Sequence, residues 1–295
     1  MKNIAVIGAG TMGNGIAHSF AQNGFNVNIV DTREDVLDNA LKTIQQNLER
    51  QVKKDLITAE IQSKTIALIQ PFTSIEKAVQ KANLVVEAVS EAPTLKQTIF
   101  QELDKHCPEA CILATNTSSI SITQIASYTQ RPDKVIGMHF MNPVPVMKLV
   151  EIIKGYSTSE ETYQSVYDWT KALDKVPVVV NDYPGFIANR ILMPMINEAI
   201  ISVFEGVAGV LEIDSIMKLG MAHPMGPLQL ADFIGLDTCL SIMKVMYDGF
   251  KNPKYAPCPL LVNMVQAGKL GVKSGEGFYS YAKGIKEADV SQRFR

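Results

Sequence analysis

Residues 4–17 read Ile4-Ala5-Val6-Ile7-Gly8-Ala9-Gly10-Thr11-Met12-Gly13-Asn14-Gly15-Ile16-Ala17. Four apolar residues have the character of a buried strand, and three glycines follow in the spacing G-x-G-x-x-G before a helix start. Each glycine has its own physical role. Gly8 allows the tight strand-to-helix turn, Gly10 lets backbone approach a pyrophosphate, and Gly13 permits close helix–strand packing. The N-terminus of the helix adds unpaired N–H groups and a partial positive charge. Alone, the motif would fit any Gly-rich turn. It is followed by a second strand, Phe25-Asn26-Val27-Asn28-Ile29-Val30, which ends at Asp31, eighteen positions past Gly13. A dinucleotide-binding fold places there the carboxylate that takes the adenosine ribose hydroxyls. Strand, glycines, helix, strand and acid together predict an α/β, Rossmann-type dinucleotide-binding domain. An acid at position 31 repels a 2′-phosphate, so NAD is expected over NADP; Arg33 is the nearby group that could accommodate that phosphate instead.

The chain has 295 residues and a formal net charge of −2. That length allows two domains with their own cores, and that charge offers no footprint for nucleic acid. The cysteines Cys107, Cys111, Cys239 and Cys258 form no C-x-x-C pair and no zinc spacing, so reduced thiols in a cytoplasmic setting and no metal are expected. The apolar start after Met1-Lys2 is interrupted by glycines, which argues against a secretory signal. No apolar run is long enough for a membrane span.

Residues 33–54 carry a helical stripe of Val36, Leu37, Ala40, Ile44 and Leu48, and the helix ends in Arg50, Lys53 and Lys54. Those cations either complement the helix dipole or dock an anionic ligand. Thr58 reads as the N-cap of a second helix, giving a helical hairpin that projects from the sheet. Further strands are expected at 84–89, 111–115, 134–140, 146–153 and 176–180, with helices at 94–106 and 160–173. Asp182-Tyr183-Pro184-Gly185 marks a boundary between a domain spanning 1–183 and an all-helical one spanning 184–295, with helices at 186–205, 212–219, 226–249 and 258–268. The tail from Ala282 is expected to be mobile.

Ligands of open α/β sheets sit beyond the strand C-termini, and a cleft between two domains is a usual place for a substrate. Of the four histidines, His18 falls inside the first helix, His106 at an exposed helix end and His223 on a loop. His139 alone ends a strand facing that edge, where an imidazole could exchange a proton with a hydroxyl near neutral pH. Its ring needs an orienting acceptor, for which Glu151 on the returning strand is a candidate, although spacing alone equally fits a surface strand glutamate. Ser118 and Asn189 could hydrogen-bond the reacting oxygen.

The sequence resembles the L-3-hydroxyacyl-CoA dehydrogenase family from Lys2 to about Tyr281. The likeness is carried by Val6–Gly13, Thr115-Asn116-Thr117-Ser118-Ser119, Arg131–Phe140, Asn142–Glu151, Pro184-Gly185-Phe186 with Asn189-Arg190, and His223-Pro224-Met225-Gly226-Pro227. It implies oxidation of a 3-hydroxyacyl-CoA by NAD, with His139 as acid/base, Glu151 as its partner, and Ser118 and Asn189 on the substrate. Glu91, Lys96 and Asn116 would join Gly8, Gly10, Thr11, Met12, Gly13 and Asp31 around NAD. Arg50, Lys53 and Lys54 would lie near the CoA phosphates, and two copies would pair through the helical domain. Two relatives remain as alternatives, a dehydrogenase of a non-CoA hydroxy acid and a non-catalytic NAD-binding structural protein. Pro93, Val272 and Glu276 depart from the family pattern.

Overall fold

A computed structural model describes residues 2–282 and 288–295. The chain divides into two compact units, one ending at Tyr183 and the other beginning at Pro184.

In the first unit, β1 (Asn3–Ile7), α1 (Thr11–Gln22) and β2 (Asn26–Val30) form the opening crossover. Helix α2 (Glu34–Lys53) and helix α3 (Ala59–Ala67) lead to β3 (Ile69–Phe72), and a short α4 (Ile75–Val79) leads to β4 (Leu84–Glu87). Then come α5 (Pro93–His106), β5 (Ile112–Thr115), α6 (Ile122–Ala126), β6 (Val135–Phe140), β7 (Leu149–Lys154), α7 (Glu160–Ala172) and β8 (Val176–Asn181). The strands make one eight-stranded sheet in the order β3-β2-β1-β4-β5-β6-β7-β8. Strands β1 to β6 are parallel, and β7 runs antiparallel to β6. The strand order reverses beside β1, the switch point at which such sheets bind ligands.

The alternating burial of β2, with Val27, Ile29 and Val30 inside, and the fully buried β4, β5 and β6 show why these runs are strands within a layered core. Thr58 caps α3, its hydroxyl accepting from Ile61 N at 3.2 Å. Pro93 stands at the first position of α5, where its missing N–H costs nothing, so this departure from the family pattern starts a helix.

Several expectations need correction. The hairpin of α2 and α3 does not simply project: α3 packs on α1 as well as on α2, and it delivers the short edge strand β3. Strand β7 begins at Leu149 rather than at residue 146, because residues 142–147 are held as a turn in which Val146 N and Met147 N both donate to Pro143 O at 3.0 Å. His106 is half-buried, 3.8 Å from Glu76.

The second unit holds α8 (Ala188–Phe204), α9 (Val210–Gly220), α10 (Pro227–Ile234), α11 (Leu236–Phe250) and α12 (Pro259–Gln266). The single helix expected over 226–249 is two, because Gly235 at φ +98° breaks it. The unit is helical but carries a two-stranded ribbon, β9 (Tyr279–Ser280) against β10 (Asp289–Val290). Of the tail expected to be mobile, residues 283–287 lie outside the described residues; in 288–295 Ser291 is buried and Phe294 lies against the Phe278 ring, while Asp289, Gln292, Arg293 and Arg295 are exposed. Glu276 is ion-paired with Lys269. Among the described residues no helix is long and apolar enough to cross a membrane.

Candidate active site

The β1–α1 turn has the shape a pyrophosphate needs. Gly8 sits at φ +99°, and a Cβ on Gly13 would fall 1.7 Å from Gly8 O. A Cβ on Gly10 would meet nothing within 4 Å. The turn therefore needs Gly8 and Gly13 for itself, and the open side at Gly10 is left for a ligand. Among the described residues no side chain caps α1, so its first-turn N–H groups, at Thr11, Met12 and Gly13, are not claimed by a cap. At the end of β2, Asp31 accepts from Ala9 N through Oδ2 (3.0 Å) and from Arg33 N through Oδ1 (3.2 Å). The carboxylate is thereby aimed across the turn, while the Arg33 guanidinium is occupied at the surface with Asp35 at 2.9 Å. These residues fit a dinucleotide.

Next to this turn, β4 ends in Glu87, fully buried in an apolar strand. Glu87 accepts from Lys96 Nζ (2.7 and 2.8 Å), Thr115 Oγ1 (2.7 Å) and Val89 N (2.7 Å). A buried carboxylate needs this density of partners. Lys96 is 1% exposed, and its ammonium also lies 3.5 Å from Glu91. The side chain of Lys96 thus faces two carboxylates, the buried Glu87 and the exposed Glu91. Glu91 in turn accepts from Thr117 Oγ1 at 2.9 Å and from the backbone N–H of Ser118, which ties the loop after β4 to the loop after β5. Asn116 accepts from Phe140 N at 2.9 Å and so fixes the end of β6. Glu87, Thr115 and Thr117 join this network although sequence reasoning assigns them no role; Thr115 and Thr117 stand only as part of the family motif, and the signal for Glu87 is an acid inside an otherwise apolar strand.

The β6–β7 ladder sets His139 directly opposite Glu151. The turn between these antiparallel strands brings the chain straight back. His139 is 6% and Glu151 2% exposed. A carboxylate only accepts, so His139 Nδ1 carries the proton it donates to Glu151 Oε2 at 2.7 Å. In the neutral ring Nε2 is then an acceptor, and Ser118 Oγ lies 3.1 Å from it. Acid, imidazole and hydroxyl stand in one line, the arrangement that lets a histidine take up and return a proton in a fixed orientation.

Asn189 is buried in the first turn of α8, within the second unit. Arg50 and Lys53 in the last turn of α2 and Lys54 at its C-cap are exposed. His18 is fully buried, and His223 is half-buried on the turn before α10. Among the described residues no group of three or more His, Cys, Asp or Glu side chains could hold a metal ion.

Known proteins match the chain along nearly all of its length. Residues 3–183 match the family of 3-hydroxyacyl-CoA dehydrogenase NAD-binding domains, and residues 185–281 match the 3-hydroxyacyl-CoA dehydrogenase C-terminal domain. The chain is 52% identical over 281 residues to a probable 3-hydroxybutyryl-CoA dehydrogenase of Bacillus subtilis, covering 95% of this chain and 98% of that one. It is 48% identical over 280 residues to a 3-hydroxybutyryl-CoA dehydrogenase of Clostridioides difficile, covering 95% and 99%. The crystal structure of an (S)-3-hydroxybutyryl-CoA dehydrogenase from Ralstonia eutropha superposes with a TM-score of 0.93 at 46% identity, over 96% of this chain and 99% of the other. The chain belongs to the 3-hydroxyacyl-CoA dehydrogenase family.

Proposed function

We propose that the protein interconverts 3-hydroxybutyryl-CoA and acetoacetyl-CoA, with NAD as the cofactor. The observation that carries this reading is the Glu151–His139–Ser118 line on a dinucleotide-binding sheet. Bound NAD supplies the acceptor for the hydride that leaves the hydroxyl-bearing carbon. In the oxidation, His139 takes the hydroxyl proton at Nε2 and becomes imidazolium, which the Glu151 carboxylate at Nδ1 stabilises. In the reduction, the imidazolium returns the proton to the oxygen. Ser118 donates toward the same oxygen, and Asn189 is assigned as a further substrate contact. Gly8, Gly10, Thr11, Met12, Gly13, Asp31, Glu91 and Asn116 are assigned to NAD. Lys96 serves it indirectly, as the counter-ion of Glu87 and Glu91.

Three further assignments belong to the same reading. Arg50, Lys53 and Lys54 are exposed together at one helix end, which suits the phosphates of CoA. The second unit leaves Ile191, Phe204, Val207, Leu211, Leu219 and Met221 exposed, apolar side chains whose burial would favour pairing of two copies through that unit. The four thiols are free and buried, which suits a reducing cytoplasm.

The test follows NADH oxidation with acetoacetyl-CoA, beside free acetoacetate and a control without substrate. Turnover with acetoacetyl-CoA and none with acetoacetate is expected. Preferred turnover of the free acid would point to a non-CoA substrate, and NADH binding with no turnover of either would point to a structural role.

A further inference from the structure

Lys175 lies on the turn between α7 and β8 and is only 8% exposed. A lysine is rarely buried unless its ammonium is fully engaged. Its Nζ donates to two carbonyls, Val144 O at 2.6 Å and Met147 O at 2.8 Å. Both belong to the turn that joins β6 to β7. The neighbouring backbone is strapped in the same way: Val176 N donates to Lys148 O at 2.8 Å, and Lys148 Nζ donates to Asp174 O at 3.1 Å. From the other side the turn presses on the dinucleotide-binding helix. Val144 is 2% exposed, and a Cβ placed on Gly15 of α1 would come within 2.9 Å of Val144 Cβ. The turn is thus held between a buried cation and a glycine.

That turn has a mechanical consequence at the proton-transfer pair. His139 lies just before the turn on β6, and Glu151 lies just after it on β7. The two face each other through the register of the hairpin that the turn closes, a register that the pairing of β6 with β5 and of β7 with β8 also supports. Side chains in a ladder change face with each residue of slip, so the 2.7 Å contact between His139 and Glu151 depends on how the turn is anchored. We infer that Lys175 is a positioning residue for the His139–Glu151 pair, acting by clamping the β6–β7 turn against Gly15 of α1. The inference rests on the dehydrogenase reading of that pair.

The test compares Lys175→Ala, Lys175→Met, Gly15→Ala and His139→Gln in the whole protein. Each is assayed for kcat and KM with acetoacetyl-CoA and for NADH affinity by fluorescence. Both Lys175 variants should lose kcat by about tenfold or more, with KM for acetoacetyl-CoA within about twofold. Lys175→Ala leaves room for a small amine, so ethylamine or propylamine should restore part of its kcat, whereas propanol should not. The melting temperature is followed alongside: rescue of kcat in a variant whose melting temperature the amine leaves unchanged marks positioning, whereas kcat and melting temperature recovering together would mark a merely structural lysine. Gly15→Ala pushes Val144 from the opposite side and should lower kcat too, so the inference stays testable if the Lys175 variants fail to fold. Folded Lys175 variants, or a folded Gly15→Ala, with kcat within twofold of the parent while His139→Gln is inactive would overturn the positioning role alone. Full turnover in His139→Gln would overturn the dehydrogenase reading of the pair and the inference with it.

Discussion

At the residue scale, the two glycines that carry the nucleotide turn are needed for different reasons. Gly13 is required by the protein, because a Cβ there would overlap Gly8 O at 1.7 Å. Gly10 carries no such constraint, because a Cβ there meets none of the described protein atoms within 4 Å; in the proposed NAD site its open face is the one the pyrophosphate would approach. Gly10→Ala should therefore fold with a melting temperature close to the parent and lose NADH affinity by about tenfold or more, whereas Gly13→Ala should be strongly destabilised. Calorimetry beside NADH fluorescence titration separates the two; equal thermal loss in both variants would remove the distinction. Asp31 makes a second prediction. Its carboxylate is fixed by two backbone N–H groups, and Arg33 is turned to Asp35. NADH should give a higher kcat/KM than NADPH, and Asp31→Ser should narrow the gap by removing the repelling charge. Equal turnover with both cofactors in the parent enzyme would refute it.

At the scale of elements, the β6–β7 hairpin brings His139 and Glu151 of the candidate site together and shows what the sequence can convey. Glu151→Gln keeps the shape and removes the charge opposite the imidazolium, so kcat should fall by roughly 10²-fold, within the range for general acid–base catalysis, while NADH affinity holds. Stopped-flow turnover and NADH titration check this; wild-type kcat in a folded variant would eliminate Glu151 as the partner. The β1–α1–β2 unit is legible because glycine spacing and apolar alternation are local signals. The His139–Glu151 pairing is legible only as a candidate, since spacing does not distinguish a facing glutamate from a surface one; the family likeness chooses between them. Strand β3 escapes a sequence reading because Ile69-Gln70-Pro71-Phe72 is four residues with a proline at a sheet edge, where neither alternation nor length gives a signal. Glu87 and Lys175 escape it because each acquires its meaning from partners far along the chain, Thr115 in one case and Val144 in the other. The end of α2 bears its own prediction. Lys54→Glu should raise KM for acetoacetyl-CoA several-fold, added salt should mimic part of the loss in the parent, and NADH affinity should stay within about twofold. An unchanged KM would return Arg50, Lys53 and Lys54 to the dipole-complementing role.

At the scale of the molecule, each unit buries a titratable group, and the two groups answer acid in opposite directions. His18 in the first unit is fully buried, and burial, with the Lys175 ammonium adding to it, lowers its pKa from 6.5 to about 4. A base depressed on folding stabilises the fold fully above its unfolded value, and this contribution is lost as the pH falls from about 6.5 to about 4, up to about 3 kcal/mol. Asp232 in the second unit is 1% exposed and accepts from Phe278 N, Tyr279 N and the Tyr281 hydroxyl. Burial outweighs those donors and raises its pKa to about 6, with repulsion from Asp214 in the same direction. An acid raised on folding works the other way: its contribution is full below the unfolded value of 3.8 and is lost as the pH rises to about 6. Acidification from pH 7 to pH 5 therefore weakens the first unit through His18, by roughly 2 kcal/mol, and strengthens the second through Asp232. The single tryptophan, Trp169, packs on the core of the first unit, so its fluorescence reports that unit while far-ultraviolet circular dichroism reports both. In urea at pH 7 and pH 5, the tryptophan midpoint should fall with acid by more than the dichroism midpoint does. His18→Leu should shrink the acid shift of the tryptophan signal, whatever its effect at pH 7. Asp232→Asn should destabilise the protein relative to the parent more at pH 5 than at pH 7, because the parent alone gains from protonation there. Parallel shifts of parent and His18→Leu midpoints would show that His18 is not the group through which acid reaches the nucleotide-binding unit.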